Sequence, residues 1–467
     1  MTEQKSPFFL YLAVLSVNLH SFATVSSLTW SSPSLVILNS NDTSINPLGR
    51  PLTNLEESWI ISLIALGAVA GNLIAAYVAK KLGPKNALIA SAVPFIASYL
   101  MLAHATTTYP FFIARFVAGT CAMFSMVIIP GYISEISPDH NRGFFISLTG
   151  ASISISNLLN YCVGPYLSIK AMAYVVNSTM VLFLLSFVLF VPDSPHRLMT
   201  LKRNAKAEKS LRRFRGNEDV AKELDGIRGL LSDRETEKIN VFKEMLGSPA
   251  ALKGLVVCCS LFFVQVVGGY GFIPTYLQTI FEKTGDAIPS TIASIVIGIV
   301  QTMATFACSM VIDRLGRKKV LYVSLVGSAV PLVFLGLFFS LKKYNYNTDI
   351  IFWMPLAALI AFFVSFSLGV GPIGLIMSGE LFTPNFQSTC VSISLMLNSA
   401  LGFFYILMFP FLIELVGFEA LLYFSAVMNL LAIVYVKVCV PETKGKSLEE
   451  IQRLLGGQIC EKEEVVK

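Results

Sequence analysis

Uncharged amides and a few acid–base pairs carry the chemistry of this chain, and most stand in strongly apolar surroundings. Gln265, Gln278, Gln301, Asn157, Asn160 and Asn398 each bring a group that both donates and accepts hydrogen bonds. Such amides can hold a neutral polar solute stripped of its water, where each unmet hydrogen bond costs about 1–3 kcal/mol. They can equally bind helix to helix, at roughly 0.6–2 kcal/mol per contact. That second role is the expectation for Asn157, Asn160 and Gln301. Charged groups recur in a pattern: Glu135 stands to Arg142 as Glu380 stands to Gln387, and Asp313-Arg314-Leu315-Gly316-Arg317-Lys318 forms a further cluster. Acidic and basic groups of this kind can pair across two moving bodies and bias which state is populated. Singly, exposed pairs contribute only about 0–1 kcal/mol. The alternative is that these charges only anchor helix ends.

The elements that must position these groups are membrane helices. Only 14% of residues are charged and 54% are hydrophobic, with a mean hydropathy of +0.68. A soluble chain could not solvate its surface with so few charges. Runs of about 20 apolar residues are long enough to cross a bilayer core, and the sequence offers them at 8–30, 57–79, 86–104, 109–132, 144–166 and 172–191. A second set follows at 254–276, 288–312, 319–340, 351–378, 389–414 and 418–439. The expectation is an all-α membrane protein of twelve transmembrane helices in two pseudo-symmetric six-helix bundles. Its parts are residues 1–191, a charged linker at 192–253 with short helices, residues 254–440, and a tail at 441–467. Amphipathic character over residues 205–231 predicts short helices on the cytosolic face, with a plain solvated linker as the alternative. Ser447 with Glu450 predicts a capped helix in the tail.

Lys and Arg set the orientation. With both termini in the cytosol, the outer loops hold only Arg50, Lys170, Lys283, Lys342 and Lys343 of the 35 basic residues. The net charge of +6 therefore reflects topology and predicts no nucleic-acid partner. Met1–Pro7 lacks the basic start and cleavage site of a signal peptide, so the first span is expected to stay. Asn41-Asp42-Thr43 is a glycosylation sequon in the first outer loop; Asn177-Ser178-Thr179 falls inside a span. None of the eight Cys falls in an outer loop, so no disulfide framework is expected.

The two halves repeat. Leu82-Gly83-Pro84-Lys85 follows the second span as Asp313 to Lys318 follows the eighth. Glu135 and Glu380 follow the fourth and tenth. Pro192-Asp193-Ser194-Pro195 and Pro441-Glu442-Thr443-Lys444 close each set. Features recurring in order at nearly one offset indicate duplication. Two such bundles form a carrier with its site on the axis between them. Gly268, Gly269, Gly271 and Pro274 interrupt the seventh span, and Gly369, Gly371, Pro372 and Gly374 the tenth. Broken helices at membrane depth are tolerated where they are buried or line a cavity.

These motifs, with Arg115-Phe116-Val117-Ala118-Gly119, Tyr132-Ile133-Ser134-Glu135 and Gly369-Val370-Gly371-Pro372-Ile373, resemble the sugar porter family of the major facilitator superfamily over nearly the whole chain. Leu28-Thr29-Trp30-Ser31-Ser32-Pro33 is similar to the end of the first span in insect facilitated trehalose and hexose transporters. The resemblance implies a major facilitator fold and alternating access, with a sugar as the partner molecule, no cofactor, no metal and no catalysis. It implies substrate contact at Gln265, Asn398, Gly371 and Pro372. It implies gating ion pairs among Glu135, Arg142, Asp313, Arg317 and Glu380. It also places the protein in the cell membrane as a multi-pass chain, working as a monomer.

The chain departs from the pattern. The second Gln of the seventh span is Val266, an Asn further on is Gly271, and the Trp of the tenth span is Leu375. At the inner ends an expected Asp is Lys80, an expected Arg is Pro84 and another is Gln387. This thinning predicts a less tightly latched outward-facing state. The first span holds no Asp or Glu, and Ser27 stands near the position where the family's symporters carry an Asp. The expectation is a uniporter of hexose or trehalose, with a proton-coupled symporter, a non-transporting sugar sensor and a carrier of a non-sugar solute as alternatives.

Overall fold

A computed structural model describes residues 8–138, 141–216, 220–236, 245–285 and 288–456. The first set of long helices is α1 (Phe8–Thr29), α3 (Asn54–Leu82), α4 (Pro84–Ala103), α5 (Thr108–Ile136), α6 (Arg142–Val163) and α7 (Ile169–Leu189). A short α2 (Ser31–Leu38) continues directly from α1. Among the described residues of the linker, α8 (Pro195–Thr200), α9 (Asn204–Arg215) and α10 (Ala221–Thr236) are helical, as is a short stretch at 245–247. Then come α11 (Pro249–Gln265), α12 (Ile273–Glu282), α13 (Ser290–Leu315), α14 (Arg317–Lys343), α15 (Met354–Leu368), α16 (Val370–Glu380), α17 (Pro384–Val416), α18 (Phe418–Cys439) and the tail helix α19 (Leu448–Leu454). The seventh span is the pair α11–α12, and the tenth is the pair α15–α16.

Among the described residues, eleven of the twelve spans are long and apolar enough by composition to cross a membrane. The exception is α6, which carries Ser147, Thr149, Ser152, Ser154, Ser156, Asn157 and Asn160. Its polarity has a structural use. The Ser152 hydroxyl donates to the Asn18 carbonyl at 2.9 Å, Ser156 to Phe22 at 2.7 Å, and the Asn160 amide to Ser26 at 3.1 Å. Three successive turns of α6 are thus stitched to three turns of α1, as small polar side chains do between helices in lipid. Asn157 accepts from the Thr29 hydroxyl at 3.2 Å.

Close packing explains the Arg115-to-Gly119 motif. A Cβ at Gly119 would lie 1.9 Å from the Ile64 carbonyl oxygen, so only Gly lets α5 and α3 approach this far. The duplicated Leu-Gly turns share one backbone conformation. Gly83 has φ 87° and ψ 158°, and Gly316 has φ 89° and ψ 156°, a region open essentially to Gly alone.

The side chains of the first core run from Leu10 to Phe214, so the linker helix α9 belongs to it. Arg213 lies over the Phe9 ring at 5.4 Å, and the Arg215 guanidinium donates to the Ile136 carbonyl at 2.7 Å. The tail helix has the expected cap: the Ser447 hydroxyl accepts from the Glu450 N–H, and the Glu450 carboxylate accepts from the Ser447 N–H. It is fixed to the second half by the Gln452 amide, which donates to the Leu381 carbonyl at 2.7 Å.

Candidate functional site

The two broken spans meet. α11 ends at Gln265, the chain passes through a wider turn over Val266–Tyr270 with Gly269 at φ 112°, and α12 starts at Ile273. In the tenth span Gly369, at φ −142° and ψ −80°, separates α15 from α16. Ser324 bridges that break: its hydroxyl accepts from the Val370 N–H at 2.9 Å and donates to the Ser365 carbonyl at 2.6 Å. Pro372 has no N–H, so the Leu368 carbonyl loses its usual donor; the Cys308 thiol takes that place at 3.7 Å.

Gln265 locks the two breaks together. Its amide nitrogen donates to the carbonyls of Val370 at 2.7 Å and Gly371 at 2.8 Å. Those bonds use both donors of the side chain, leaving the amide oxygen for other work. The rings of Tyr270 and Phe366 stack across the same junction, with centroids 3.8 Å apart and planes within 7°. Gln301 reaches the Tyr270 hydroxyl through a long 3.5 Å bond. Asn398 is half-buried, and its amide oxygen is buried without a hydrogen-bond donor among the described residues. Leu375 is 48% exposed. A Cβ at Gly271 would lie 2.5 Å from the Val266 carbonyl oxygen, so the tight turn itself demands Gly there.

At the end away from the linker, the two halves touch. Asn54 bonds to Glu414, the Gln278 N–H donates to the Ser32 hydroxyl at 3.2 Å, and the Tyr161 hydroxyl donates to the Pro274 carbonyl at 3.4 Å. The Thr302 hydroxyl reaches the Ser154 carbonyl at 3.4 Å. Asn41 is exposed in the loop at this end, whereas Asn177 is buried in α7 and donates to the Ile96 carbonyl at 3.3 Å.

At the linker end each half holds its own network. Arg317 pairs with Glu380 at 2.7 Å, and the Thr443 hydroxyl donates to the same carboxylate at 2.5 Å. Glu442 accepts the N–H groups of Arg317 at 3.1 Å and Lys318 at 3.0 Å, at the start of α14. Partial burial alone would raise the Glu442 carboxyl. The N–H groups of Lys444, Lys318, Arg317 and Thr443 outweigh it and hold the group below its ordinary value. In the first half the Ser194 hydroxyl donates to Glu135, the counterpart of the Thr443–Glu380 bond. No single residue of the sequence announces this repeated hydroxyl contact. Its signal was available in the aligned triplets Pro192-Asp193-Ser194 and Pro441-Glu442-Thr443. Arg142 lines a cavity with Glu135, while the Asp313 side chain lies outside those described.

Arg115 is fully buried. Its guanidinium donates to the backbone carbonyls of Ser27 and, at 3.0 Å, Ile60, and lies 5.2 Å above the Trp30 ring. His20 is also buried, with ring nitrogens 2.8 Å and 2.9 Å from the Ser125 and Ser91 hydroxyls.

Twelve spans among the described residues, with two broken helices joined near the middle, define the major facilitator fold. The same architecture appears in the inward-open structure of the xylose transporter XylE from E. coli, with a TM-score of 0.77, 21% identity, and 95% and 99% of the two chains covered. The model of the family described as "Sugar (and other) transporter" matches residues 14–455, and the chain belongs to that family. It is 32% identical over 449 residues to the facilitated trehalose transporter Tret1 of Anopheles gambiae, covering 96% of this chain and 56% of that protein. It is 31% identical to Tret1 of Polypedilum vanderplanki, covering 97% and 90%. The chain spans about half the length of several of the relatives it matches.

Proposed function

We propose that the protein is a facilitative carrier of trehalose or a hexose that works by alternating access, as a uniporter and without covalent chemistry. The two bundles, residues 1–191 and 254–440, move against each other as units, joined by the linker at 192–253 and followed by the tail at 441–467. Gln265 and Asn398 contact the sugar through their amide oxygens, with Gly371 and Pro372 giving the tenth span its hinge. The named activity of the Tret1 relatives supports the substrate class.

The surroundings of Arg115 carry the passive reading. A proton-coupled carrier needs a titratable group that faces the moving site, and buried charge in a membrane costs several kcal/mol. Here the guanidinium is held by the backbone of Ser27 and Ile60 instead of a carboxylate. The protein is read as resident in the cell membrane with both termini in the cytosol, from the bias of Lys and Arg toward the linker side. That orientation puts Asn41 outside, where its exposed sequon can accept a glycan. The cross-half contacts at the opposite end then describe a state closed to the outside.

Uptake of labelled trehalose, glucose and fructose by cells lacking their own carriers tests this reading. Saturable uptake that survives a protonophore is expected. Gln265→Ala should reduce it about tenfold or more, because one substitution frees two carbonyls and removes a sugar acceptor. Uptake that collapses with the protonophore would transfer the reading to a symporter. Absent uptake at confirmed surface expression would favour a sensor or a non-sugar carrier.

A further inference from the structure

We propose that an apolar groove between the seventh and eleventh spans seats one acyl chain of a membrane phospholipid. The groove has a volume of about 420 Å³. Its long wall is one face of α17, where Leu401, Phe404, Met408, Phe411 and Leu415 recur every three or four residues. From Leu401 to Leu415 a helix rises about 21 Å. This wall ends beside Glu414, which bonds to Asn54 at the end away from the linker. The short wall is Phe263, in the last turn of α11, with Val266 and Val267 in the wide turn that follows. Tyr405 brings the one hydroxyl among these lining side chains, and its oxygen is buried.

The break in the seventh span makes the groove. Beyond the break, α12 packs against the other side of α17: Phe272 stacks on Phe409 with centroids 4.4 Å apart, and Tyr276 lies 5.0 Å from the same ring. Phe409 is fully buried, whereas Phe404 is 62% and Leu415 79% exposed. The seventh span thus covers the core side of α17 and leaves the groove side open. Both walls lie within membrane-crossing stretches, so the groove is continuous with the surface that meets bilayer hydrocarbon. Its shape selects the occupant. About 420 Å³ spread along about 21 Å leaves a slot of about 20 Å² in section. That is the form of one extended hydrocarbon chain, whereas a helix with its side chains is about 10–12 Å across. Between apolar groups in lipid there is no hydrophobic driving force, and what holds the chain is dispersion contact, which an unfilled slot forfeits. A chain seated here rests on Val266 and Val267, inside the turn that joins α11 to α12. Its occupancy therefore favours the arrangement of that turn seen in this structure.

Native mass spectrometry of the purified full chain, with palmitoyl-oleoyl phosphatidylcholine titrated into the detergent, tests the site. A saturable first adduct is expected. Met408→Trp, which fills the slot from an exposed position, should weaken it about tenfold or more. Val323→Trp, on an exposed position of α14, should leave it unchanged. A second measurement needs no variant. In nanodiscs, a phosphatidylcholine with a photoreactive group in its acyl chain should label residues 263–267 and 401–415 of the wild type ahead of the exposed side chains of α14. No adduct, adducts of equal strength in Met408→Trp and Val323→Trp, or label spread evenly over the exposed spans overturns the proposal. An adduct with cholesterol and none with phosphatidylcholine overturns the acyl chain as the occupant. None of these readouts depends on transport.

Discussion

The linker-side ends of the two halves descend from one pattern and now hold themselves together differently. In the second half Arg317 joins Glu380, Thr443 joins the same carboxylate, and Glu442 receives the first N–H groups of α14. In the first half the hydroxyl contact survives as Ser194 to Glu135, but Pro84 replaces the Arg. Proline brings no guanidinium for Glu135, and it brings no N–H for Asp193. Asp193 instead stands 4.0 Å from the Lys85 ammonium with its side chain about half exposed. A charged carboxylate at a helix start contributes most where backbone N–H groups face it. The second half keeps that arrangement, and the first has exchanged it for a cavity.

The largest test of this contrast is Glu380→Gln. It removes the carboxylate that Arg317, whose side chain is only 14% exposed, pairs with at 2.7 Å. A loss of roughly 1–3 kcal/mol is expected, below the cost of breaking a fully buried pair because Glu380 is partly solvated. Glu135→Gln should cost less. Unfolding midpoints of the two variants under identical conditions provide the check, and equal losses would remove the asymmetry.

Pro84→Arg should move the first half toward the second. An Arg at this position would reach toward Glu135 as Arg317 reaches Glu380, and fill the cavity beside it. The gain expected is about 0.5–1 kcal/mol for a partly exposed pair. A double-mutant cycle with Glu135→Gln isolates it. Additive effects would mean that the new Arg does not find the carboxylate.

Much of this architecture was legible in the sequence, for identifiable reasons. Membrane spans are long runs of one physical character, so even the polar α6 stood out by its place between charged loops. The breaks at Gly269 and Gly369 were marked by clustered Gly and Pro. The extra helix α2 is not legible, because Ser31 to Leu38 looks like the fading end of α1. The bonds of Gln265 were also beyond reach. Its side chain was marked for a solute, yet its donors go to Val370 and Gly371. Which carbonyls a helix break presents to a neighbour depends on how two helices cross, and one sequence does not encode that locally. Ladders such as Ser152, Ser156 and Asn160 against α1 are of the same kind: the donors are visible, but the backbone that accepts them is not.

The smallest effect expected is a pH dependence that belongs to one half. Glu442 is held below its ordinary value of 4.5 by backbone N–H groups that a neutral side chain would bind less well. A carboxyl depressed on folding contributes stability that is fully present above its unfolded value. That contribution is lost as pH falls through its lower folded value. Acidification below about pH 4.5 should therefore weaken the start of α14 in the wild type. Glu442→Gln should flatten this limb and, at neutral pH, cost about 0.5–1 kcal/mol. Asp193→Asn, at the equivalent place in the first half, should cost less at neutral pH, because Pro84 offers its carboxylate no N–H to lose. Unfolding midpoints of the wild type and both variants, followed from neutral to acidic pH, give the measurement. Equal neutral-pH costs for Glu442→Gln and Asp193→Asn would show that the N–H groups of α14 add nothing beyond a surface charge, and the contrast between the two ends would then rest on Arg317 alone.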